Sequence, residues 1–377
     1  MKKILMVTHT PLPDHRIDRE ARSLVEKGYE LYIICSGIKR KAPEVYTKIF
    51  EIPLSNKEKS LLPFQSKIAA KKFQKVIDDV NPEIIHAHDI MAANIVRYCN
   101  LSGKKFVYDT HEDWELLRKR QRKIEPSFIK RLAVIFYTYP ATRRTTKRIA
   151  KIADLIILTT KFSIDYYVKM GINIEKIITI ENFPKQKLIK TAIKSEDLVD
   201  SFIKNDPRKK VVHSSSRIKA SSKIVRDISV YVEAVNELDD WVMIVFGPED
   251  EIYSKLGVKF LPPRDQLAYM ACISQCDVAL NPLILDERTH YSSSNRIFEF
   301  VSLGLKVLSS KAKYLVEKFD DNLIWAGPDI PKETVKQILM NIDNYPTKKE
   351  LQKIGSKFSW DEEIEKLFQK YVELFLK

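Results

Sequence analysis

The sequence predicts an α/β protein built from two tandem, doubly wound (Rossmann-like) domains that face each other across a cleft. Short apolar strands alternate with amphipathic helices through the first half of the chain, and the alternation restarts after a polar stretch. Strands that are apolar throughout and joined by helices form parallel sheets covered on both faces. We expect a first domain at 1–183, joined by a terminal helix at 361–377, a linker at 184–209, and a second domain at 210–360.

The first half begins with a buried strand at 3–8, a loop with two prolines, an amphipathic helix at 17–27 and a strand at 30–35. An irregular stretch at 37–60 follows. The later expected elements are helix 64–79, strand 83–88, helix 90–101, strand 105–111, basic helices within 117–153, strand 154–160, helix 162–170 and strand 177–182.

The second half repeats the pattern and ends in three helices. Its expected elements are strand 210–215, helix 225–238, strand 242–247, a helix near 250, strand 258–261, helix 264–275, strand 277–283, a helix entered through Ser292, strand 306–310, helix 313–318 and strand 322–327. Ligands of such sheets bind at the carboxyl ends of the strands. The cleft between the domains is therefore the expected site.

The chain of 377 residues carries a formal charge of +14, which calls for an anionic partner. The excess is concentrated at 117–153, where Arg and Lys alternate with aromatic and aliphatic residues. This composition suits an anionic membrane surface, and the alternative is a pair of surface helices whose basic stems cover the core. No apolar run approaches the roughly 20 residues of a membrane span. The four scattered cysteines predict free thiols in a reducing cytoplasm, so we expect a cytoplasmic protein, peripheral on the inner face of the membrane.

Only nine glycines are present, and no P-loop or Gly-x-Gly-x-x-Gly fingerprint occurs. Mononucleotide kinases and nicotinamide dehydrogenases are therefore disfavoured. No Asp-x-Asp pair stands where a metal-bridged diphosphate needs one, so we expect metal independence and no cofactor. No recognised nucleic-acid module is visible either. Phosphate is expected to bind to side-chain cations and a helix N-terminus.

The stretch 292–310 is the predicted centre of the donor site. Arg296 lies in the first turn of a helix, where a cation is unfavourable unless an anion sits in front of it. Glu299, one turn later, can accept hydrogen bonds from ribose hydroxyls, and the alternative is a capped core helix with a solvated Glu and Arg. The candidate donor-binding residues are Arg217, Lys219, Lys223, Arg226, Gly247, Ser294, Asn295, Arg296 and Glu299.

Polar residues also follow the strands of the first domain. Candidate acceptor contacts are His9, Asp14, His15 and Asp89. His111 ends the strand 105–111 and is a further candidate, with a structural histidine as the alternative.

Several segments, taken together in their order and spacing, resemble glycosyltransferases of the GT-B fold, specifically the glycosyltransferase family 4-like group. They are THTPLPDHRIDREARSLVEKGYEL, EIIHAHD, VYDTHE, VRDISVYVEAV, VKFLPPRDQLAYMACISQCDVALNPL, SSSNRIFEFVSLGLKVLSS and FSWDEEIEKLFQKY. The resemblance implies retaining transfer of a sugar from a nucleotide diphosphate donor to a saccharide or polyprenyl-linked acceptor in the synthesis of envelope or surface polysaccharide.

The resemblance also implies roles for individual residues. It implies four catalytic residues. His111 corresponds to a family histidine that contacts the donor sugar, and Glu299 corresponds to the carboxylate that holds the donor ribose. Arg217 and Lys223 correspond to the Arg and Lys that neutralise the leaving diphosphate. An insertion leaves open whether Lys223 or Arg226 is the second cation. Asn295 and Arg296 match an Asn-Lys pair.

The chain departs from the family pattern in two places. Tyr291 stands where a first glutamate is common, and the loop after the first strand lacks its glycines. Alternatives are a nucleotide-sugar epimerase, a phosphorylase, or a basic membrane- or anion-binding protein that has lost turnover.

Overall fold

The computed structural model describes residues 2–41, 44–125, 127–214 and 226–376. The chain divides into two compact units. Unit 1 comprises Met1–Glu181 with Asp361–Lys377, and unit 2 comprises Asn182–Trp360. Each unit holds its own parallel sheet and its own hydrophobic core. The two-domain α/β fold expected from the alternation of strands and helices is confirmed.

The described residues of unit 1 form one sheet with strand order β3-β2-β1-β4-β5-β6-β7, and each neighbouring pair is parallel. Its strands are β1 (Lys3–Val7), β2 (Glu30–Cys35), β3 (Lys48–Glu51), β4 (Ile84–His88), β5 (Lys105–Thr110), β6 (Leu155–Leu158) and β7 (Ile177–Thr179). The order reverses between β1 and β4, so their carboxyl ends border the crevice where such sheets bind ligands.

The helices of unit 1 cover both faces of this sheet, and the last helix of the chain packs with them. They are α1 (His15–Glu26), α2 (Pro63–Val80), α3 (Asp89–Val96), α4 (Trp114–Ile124), α5 (Phe128–Ala133), a π-helical turn (Val134–Thr138), α6 (Tyr139–Ile152) and α7 (Ile164–Lys169). The terminal helix, Trp360–Leu376, lies in unit 1 from Asp361 onward. Short 3₁₀ turns occur at Lys161–Ser163 and Ile174–Lys176.

The described residues of unit 2 form a second parallel sheet with strand order β10-β9-β8-β11-β12-β13. Its strands are β8 (Lys209–Ser214), β9 (Trp241–Phe246), β10 (Lys259–Leu261), β11 (Val278–Asn281), β12 (Lys306–Ser309) and β13 (Ile324–Trp325). Here the order reverses between β8 and β11. The expected donor-binding segments follow these two strands.

The helices of unit 2 are α8 (Gln186–Lys194), α9 (Ser201–Asn205), α10 (Ser229–Asn236), α11 (Glu251–Lys255), α12 (Gln266–Ser274), α13 (Asn295–Leu303), α14 (Lys313–Phe319), α15 (Lys332–Met340) and α16 (Lys348–Gly355). Further 3₁₀ turns lie at Glu196–Leu198, Asp320–Asn322 and Ile342–Asn344.

Two segments differ from the sequence-based expectation. The stretch 37–60 was expected to be irregular, but it contains β3, which pairs with β2 from Tyr32↔Lys48 to Cys35↔Glu51. Residues 184–209 were expected to be a linker, but they form α8 and α9 in unit 2. Ile189 and Ala192 of α8 are buried. The lysine-rich composition hid the apolar stripe that docks this helix.

Helix α13 ends on a close contact with α16. Gly304 has φ +87°, and a Cβ there lies 2.8 Å from the Lys348 carbonyl oxygen. Gly355 has an ordinary negative-φ backbone, but a Cβ at this position would lie only 2.4 Å from Ser302 Cα. Two glycines therefore allow backbones to approach where side chains do not fit, which fixes the position of α13.

Among the described helices, none combines the length and the apolar character that crossing a bilayer requires.

Candidate functional site

The candidate donor site of unit 2 lies at the carboxyl ends of β8 and β11, where the strand order reverses. Ser214 ends β8 and Asn281 ends β11. Ser294, the N-cap of α13, donates its hydroxyl to Asn281 Oδ1 at 3.1 Å. Arg296 in the first turn donates to the Ser214 carbonyl oxygen. These bonds tie the start of α13 to both strand ends.

The start of α13 has features of an anion site. Among the described residues, no side chain caps the N-terminus of α13, because the Ser294 hydroxyl donates to Asn281 and does not bond to the first turn. The first N–H groups of a helix have no partner inside the helix and carry partial positive charge. An anion in front of α13 can accept from them.

Three arginines gather beside this helix start. The backbone of Arg226 bridges to Leu283 in the loop after β11, and that loop continues to Arg288. Burial, followed by the like charges of Arg296 and Arg288, lowers the pKa of Arg226 to about 10. Arg226 remains protonated at neutral pH, so its charge is held close to other positive charges. Such crowding favours a bound anion.

His213, the residue before Ser214, is buried under the same cluster. Its Nδ1 lies 3.2 Å from the Leu280 carbonyl oxygen. Burial and the charges of Arg226 and Arg296 lower its pKa to about 3. His213 is therefore neutral at physiological pH and adds no charge to the donor site.

Glu299 is half-buried on α13, one turn after Arg296. It lies near Tyr269 of α12. Burial is the main cause that raises the pKa of the Tyr269 phenol, and the negative charge of Glu299 raises it further. The Tyr269 ring packs edge-on against Phe246 at the end of β9, with centroids 5.2 Å apart. The carboxylate predicted to hold the ribose thus lies on the helix that carries Arg296.

The other predicted donor residues fall into two groups. Arg217, Lys219 and Lys223 lie outside the described residues, so the choice between Lys223 and Arg226 as second cation stays open. Gly247 directly follows β9, where its N–H donates to the Leu261 carbonyl oxygen at 3.2 Å. Asn295 is exposed at the first position of α13.

Unit 1 contains a buried ionic network at the ends of β4 and β5. Arg16 of α1 donates to both carboxylate oxygens of Asp109, with Nη2 3.2 Å from Oδ1 and 3.3 Å from Oδ2. Its Nη1 donates to the Ile180 carbonyl oxygen at 3.2 Å. Asp109 is fully buried and Arg16 is 7% exposed. Burial alone favours protonation, but Arg16 and His111 hold the pKa of Asp109 well below its usual value.

His111 lies between two carboxylates. Its Nε2 is 3.2 Å from Asp109 Oδ2, and its Nδ1 is 3.7 Å from Asp89 Oδ2. Burial opposes the charged ring, but Asp89 and Asp109 raise its pKa to about 9. His111 is therefore protonated at neutral pH. Asp89 also accepts from the His111 backbone N–H and from Trp114 Nε1, at 3.0 and 3.1 Å.

A second part of the network has the residue types of a metal site. The fully or nearly fully buried group Glu20, His86, His88 and Asp109 has ligand atoms within 4.8 Å of one another. However, the rings of His86 and His88 are stacked with centroids 4.3 Å apart and an interplanar angle of 23°. Their in-plane lone pairs therefore run side by side instead of converging. Asp109 is also engaged by Arg16, so the group has the geometry of a charge network.

The predicted acceptor residues have unequal positions. Asp89 has φ +66°, a strained conformation for a non-glycine residue, at the start of α3 beside His111. His9 lies near Asp89, and burial lowers its pKa. Asp14 instead caps α1, accepting from the N–H groups of Arg16 and Ile17 at 3.0 and 3.2 Å. His15 is exposed on the first turn of α1.

Comparison with known proteins finds a family model that matches part of the chain. Residues 15–183 match the model of Glycosyltransferase Family 4. The chain has the GT-B fold, and the part that resembles Glycosyltransferase Family 4 covers most of unit 1. The resemblance expected from the sequence motifs is confirmed. No curated protein matches the sequence.

Solved structures share the GT-B fold of the chain at low sequence identity. Sucrose-phosphate synthase from Thermosynechococcus elongatus is 13% identical over 100% of both chains, with a TM-score of 0.73. Anabaena Alr3699/HepE in complex with UDP-glucose is 15% identical over 99% of this chain and 100% of that chain, with a TM-score of 0.67. UDP-GlcNAc 2-epimerase from Neisseria meningitidis, bound to UDP-GlcNAc, is 12% identical over 98% and 100%, with a TM-score of 0.59.

The sequence analysis assigned no role to several residues of these two clusters. They are Arg16, Glu20, His86, His88 and Asp109 in unit 1, and Arg288 in unit 2. A signal was present in the sequence for some of them, since His86, His88 and Asp109 interrupt strands that are otherwise apolar. Polar residues inside buried strands need partners. Arg288 gave no such signal, because it lies in a polar loop.

Proposed function

We propose that the chain is a retaining, metal-independent glycosyltransferase that moves a sugar from a nucleoside diphosphate donor to a saccharide or lipid-linked acceptor. The observation that carries the proposal is the crowding of Arg226, Arg288 and Arg296 at the uncapped start of α13. A diphosphate is the anion that matches several arginines and a row of helix N–H groups together.

Negative charge grows on the diphosphate as the glycosidic bond breaks, and fixed cations stabilise that charge most in the transition state. Arg226 and Arg296 supply this stabilisation in the proposed mechanism, with Lys223 and Arg217 as further predicted cations. Glu299 accepts hydrogen bonds from the ribose hydroxyls and sets the position of the nucleoside. No metal ion is needed to neutralise the leaving group, because the side chains carry the charge.

The match to Glycosyltransferase Family 4 and the fold shared with a UDP-glucose complex of Alr3699/HepE support this proposal. Synthesis of envelope or surface polysaccharide is the proposed setting.

Glu299→Gln should weaken nucleotide binding about tenfold, because two hydroxyls lose a charged acceptor, and hydrogen bonds to charged groups contribute about 1.5–3 kcal/mol each. Calorimetric titration of UDP, GDP and ADP into wild type and variant, each with magnesium and with EDTA, measures this effect. We expect one nucleotide to bind equally well under both conditions. The matched control is Glu233→Gln, at an exposed position on α10.

The nucleotide that binds selects the donor sugars for transfer assays, and proton NMR of the product determines whether the anomeric configuration is retained. Inverted product would refute the retaining mechanism, and a magnesium requirement would refute metal independence. Conversion of UDP-GlcNAc without any acceptor would instead identify an epimerase. If no nucleotide binds at millimolar concentration, the donor site has lost its function and the anion-binding alternative is correct.

An anionic membrane surface is the proposed location of the acceptor, on the inner face of the cytoplasmic membrane. Segment 117–153 contains twelve basic residues and a single acidic one, Glu125. Within it, Phe128, Ile129 and Phe136 are 69%, 79% and 76% exposed. Large apolar side chains that protrude beside lysines and arginines are the features of an interfacial helix. This surface lies on α5 and the π-helical turn.

Replacing Phe128, Ile129 and Phe136 together by serine should reduce binding to anionic liposomes at least tenfold. A large apolar side chain contributes about 1.5–3 kcal/mol when fully buried, so partial insertion of three is enough. Flotation with phosphatidylglycerol and with neutral vesicles measures it. The control is Phe64→Ser, which removes an apolar side chain that is 71% exposed on α2. Equal failure of wild type on both vesicles would remove the membrane proposal.

A further inference from the structure

The buried network of unit 1 contains one carboxylate, that of Asp109, that lies within 4 Å of four other side chains, among them His86 with Nε2 3.8 Å from Oδ2. Asp109 accepts from Arg16 through both oxygens, and its Oδ2 lies 3.2 Å from His111 Nε2 and 3.4 Å from His88 Nδ1. The partners come from α1, β4 and the segment after β5, so the contact assembles three parts of the first unit. An ion pair of this kind is costly to bury unless its geometry is well satisfied.

The two nitrogens of His111 have different surroundings. Nε2 lies 3.2 Å from the buried Asp109 Oδ2 and 3.2 Å from His88 Nδ1, whereas Nδ1 stands 3.7 Å from Asp89 Oδ2, which is beyond hydrogen-bond length. The side chain is 15% exposed, in contrast to the fully buried Asp109. A hydrogen bond at one ring nitrogen fixes the orientation of the ring and the role of the other nitrogen. Nδ1–H is thus the donor that a ligand can reach.

We propose that Asp109 is a positioning residue for His111: held by Arg16, it accepts the Nε2–H of the protonated ring and leaves the Nδ1–H to donate to a hydroxyl of the bound sugar. The inference rests on the proposed glycosyl transfer, and assigns to Asp109 and Arg16 a role that acts through another residue. His111 is a fixed cationic donor in this arrangement, and it does not act as a base.

The protonation of His111 depends on every charged group that faces it. These groups are Asp109 on β5, Asp89 on α3, His88 on β4, Arg16 and Glu20 on α1, and His9 after β1. The two aspartates favour the charged ring and Arg16 opposes it. Because the pKa of His111 is raised in the folded state, nearly all His111 rings are protonated below the ordinary value of 6.5. The ring loses its proton as the pH rises through about 9.

The test is a carbon–proton NMR titration of the histidine rings in wild type and in Asp109→Asn. We expect His111 of the wild type to titrate near pH 9 and that of the variant to titrate at least one unit lower. The exposed His15 lies outside the network and serves as internal control, because its ring signals should be the same in wild type and variant. This measurement needs no substrate, so it stands even if the proposed transfer activity is not found.

The kinetic arm separates positioning from a structural role. Asp109→Asn should lower kcat/KM about threefold or more at pH 8.5, where a ring with a pKa one unit lower is only about one-quarter protonated against about three-quarters in the wild type, and shift the alkaline limb of the pH profile downward. In the background of His111→Gln, the same substitution should have no further effect. A merely structural ion pair would lower stability and impair both backgrounds equally.

Two results overturn the inference. One is a wild-type His111 that titrates near 6.5, which is decisive even if Asp109→Asn does not fold. The other is a loss of activity of equal size in both backgrounds. If the titration follows the expectation but no sugar is transferred to any acceptor, the proposed function fails while the positioning of the ring by Asp109 is retained.

Discussion

Arg226→Gln is expected to weaken nucleoside diphosphate binding about 100-fold, which corresponds to roughly 2.7 kcal/mol. The half-buried guanidinium lies among Arg288, Arg296 and the first turn of α13, so its bonds to phosphate oxygens form in a partly desolvated site. Charged hydrogen bonds are strongest under such conditions. Isothermal calorimetry with the nucleotide that binds the wild type measures the loss.

The same substitution should not destabilise the ligand-free protein, because it removes repulsion between like charges. We expect an unchanged or slightly raised melting temperature together with the loss of affinity. Such a trade-off between stability and function is common where a binding site holds like charges close together. The matched control is Arg208→Gln. Arg208 directly precedes β8, at the amino end of the strand and away from the candidate site at its carboxyl end. Its side chain pairs with Asp206 at 2.6 Å. Equal affinity of Arg226→Gln and wild type would show that the diphosphate binds elsewhere.

Gly355→Ala is expected to destabilise unit 2 by about 3 kcal/mol. The added methyl group lies 2.4 Å from Ser302 Cα and 2.5 Å from Ser302 N, so α16 and α13 must move apart. Overpacking of a rigid contact costs about 1–3 kcal/mol and occasionally more, and neither neighbouring atom can rotate away. Differential scanning calorimetry should show a melting temperature lower by roughly 6–12 °C.

Because α13 carries Arg296 and Glu299, this change at a distance should also weaken nucleotide binding. The control is Gly171→Ala in unit 1, where φ is +83° and nothing lies within 4 Å of the added Cβ. That variant is subject only to the left-handed strain of about 1–2 kcal/mol and should bind nucleotide as the wild type does. If Gly355→Ala melted like Gly171→Ala and bound normally, the contact between α13 and α16 would not position the donor site.

Patterns along the chain were enough to predict the general architecture. The alternation of strands and helices predicted both sheets, and Ser294, Arg296 and Glu299 were placed correctly on one helix, because helical periodicity fixes which residues share a face. The same reasoning failed at β3, whose four residues Lys48–Glu51 are partly exposed at the edge of the sheet. It also failed at α8, where lysines masked an amphipathic pattern. Short elements carry too little periodicity to be recognised.

Asp14 illustrates a local signal that was given a ligand-binding role. An aspartate at the N-terminal boundary of a helix commonly caps it, and that is its position here. The sequence alone therefore contained the information needed to assign a cap. His9 and Asp89, by contrast, stand beside His111 only because β1, β4 and β5 are consecutive neighbours in the sheet.

The amino-acid sequence by itself determined the two α/β halves, the basic and apolar character of 117–153, and the helix that carries Arg296 and Glu299. These are properties of local composition and period. The tertiary structure alone decided that Arg16 meets Asp109, 93 residues away, and that Arg288 faces Arg226. The physical reason is that the order of strands in a sheet selects which loop ends become neighbours. Burial then makes charges depend on partners that no sequence spacing reveals.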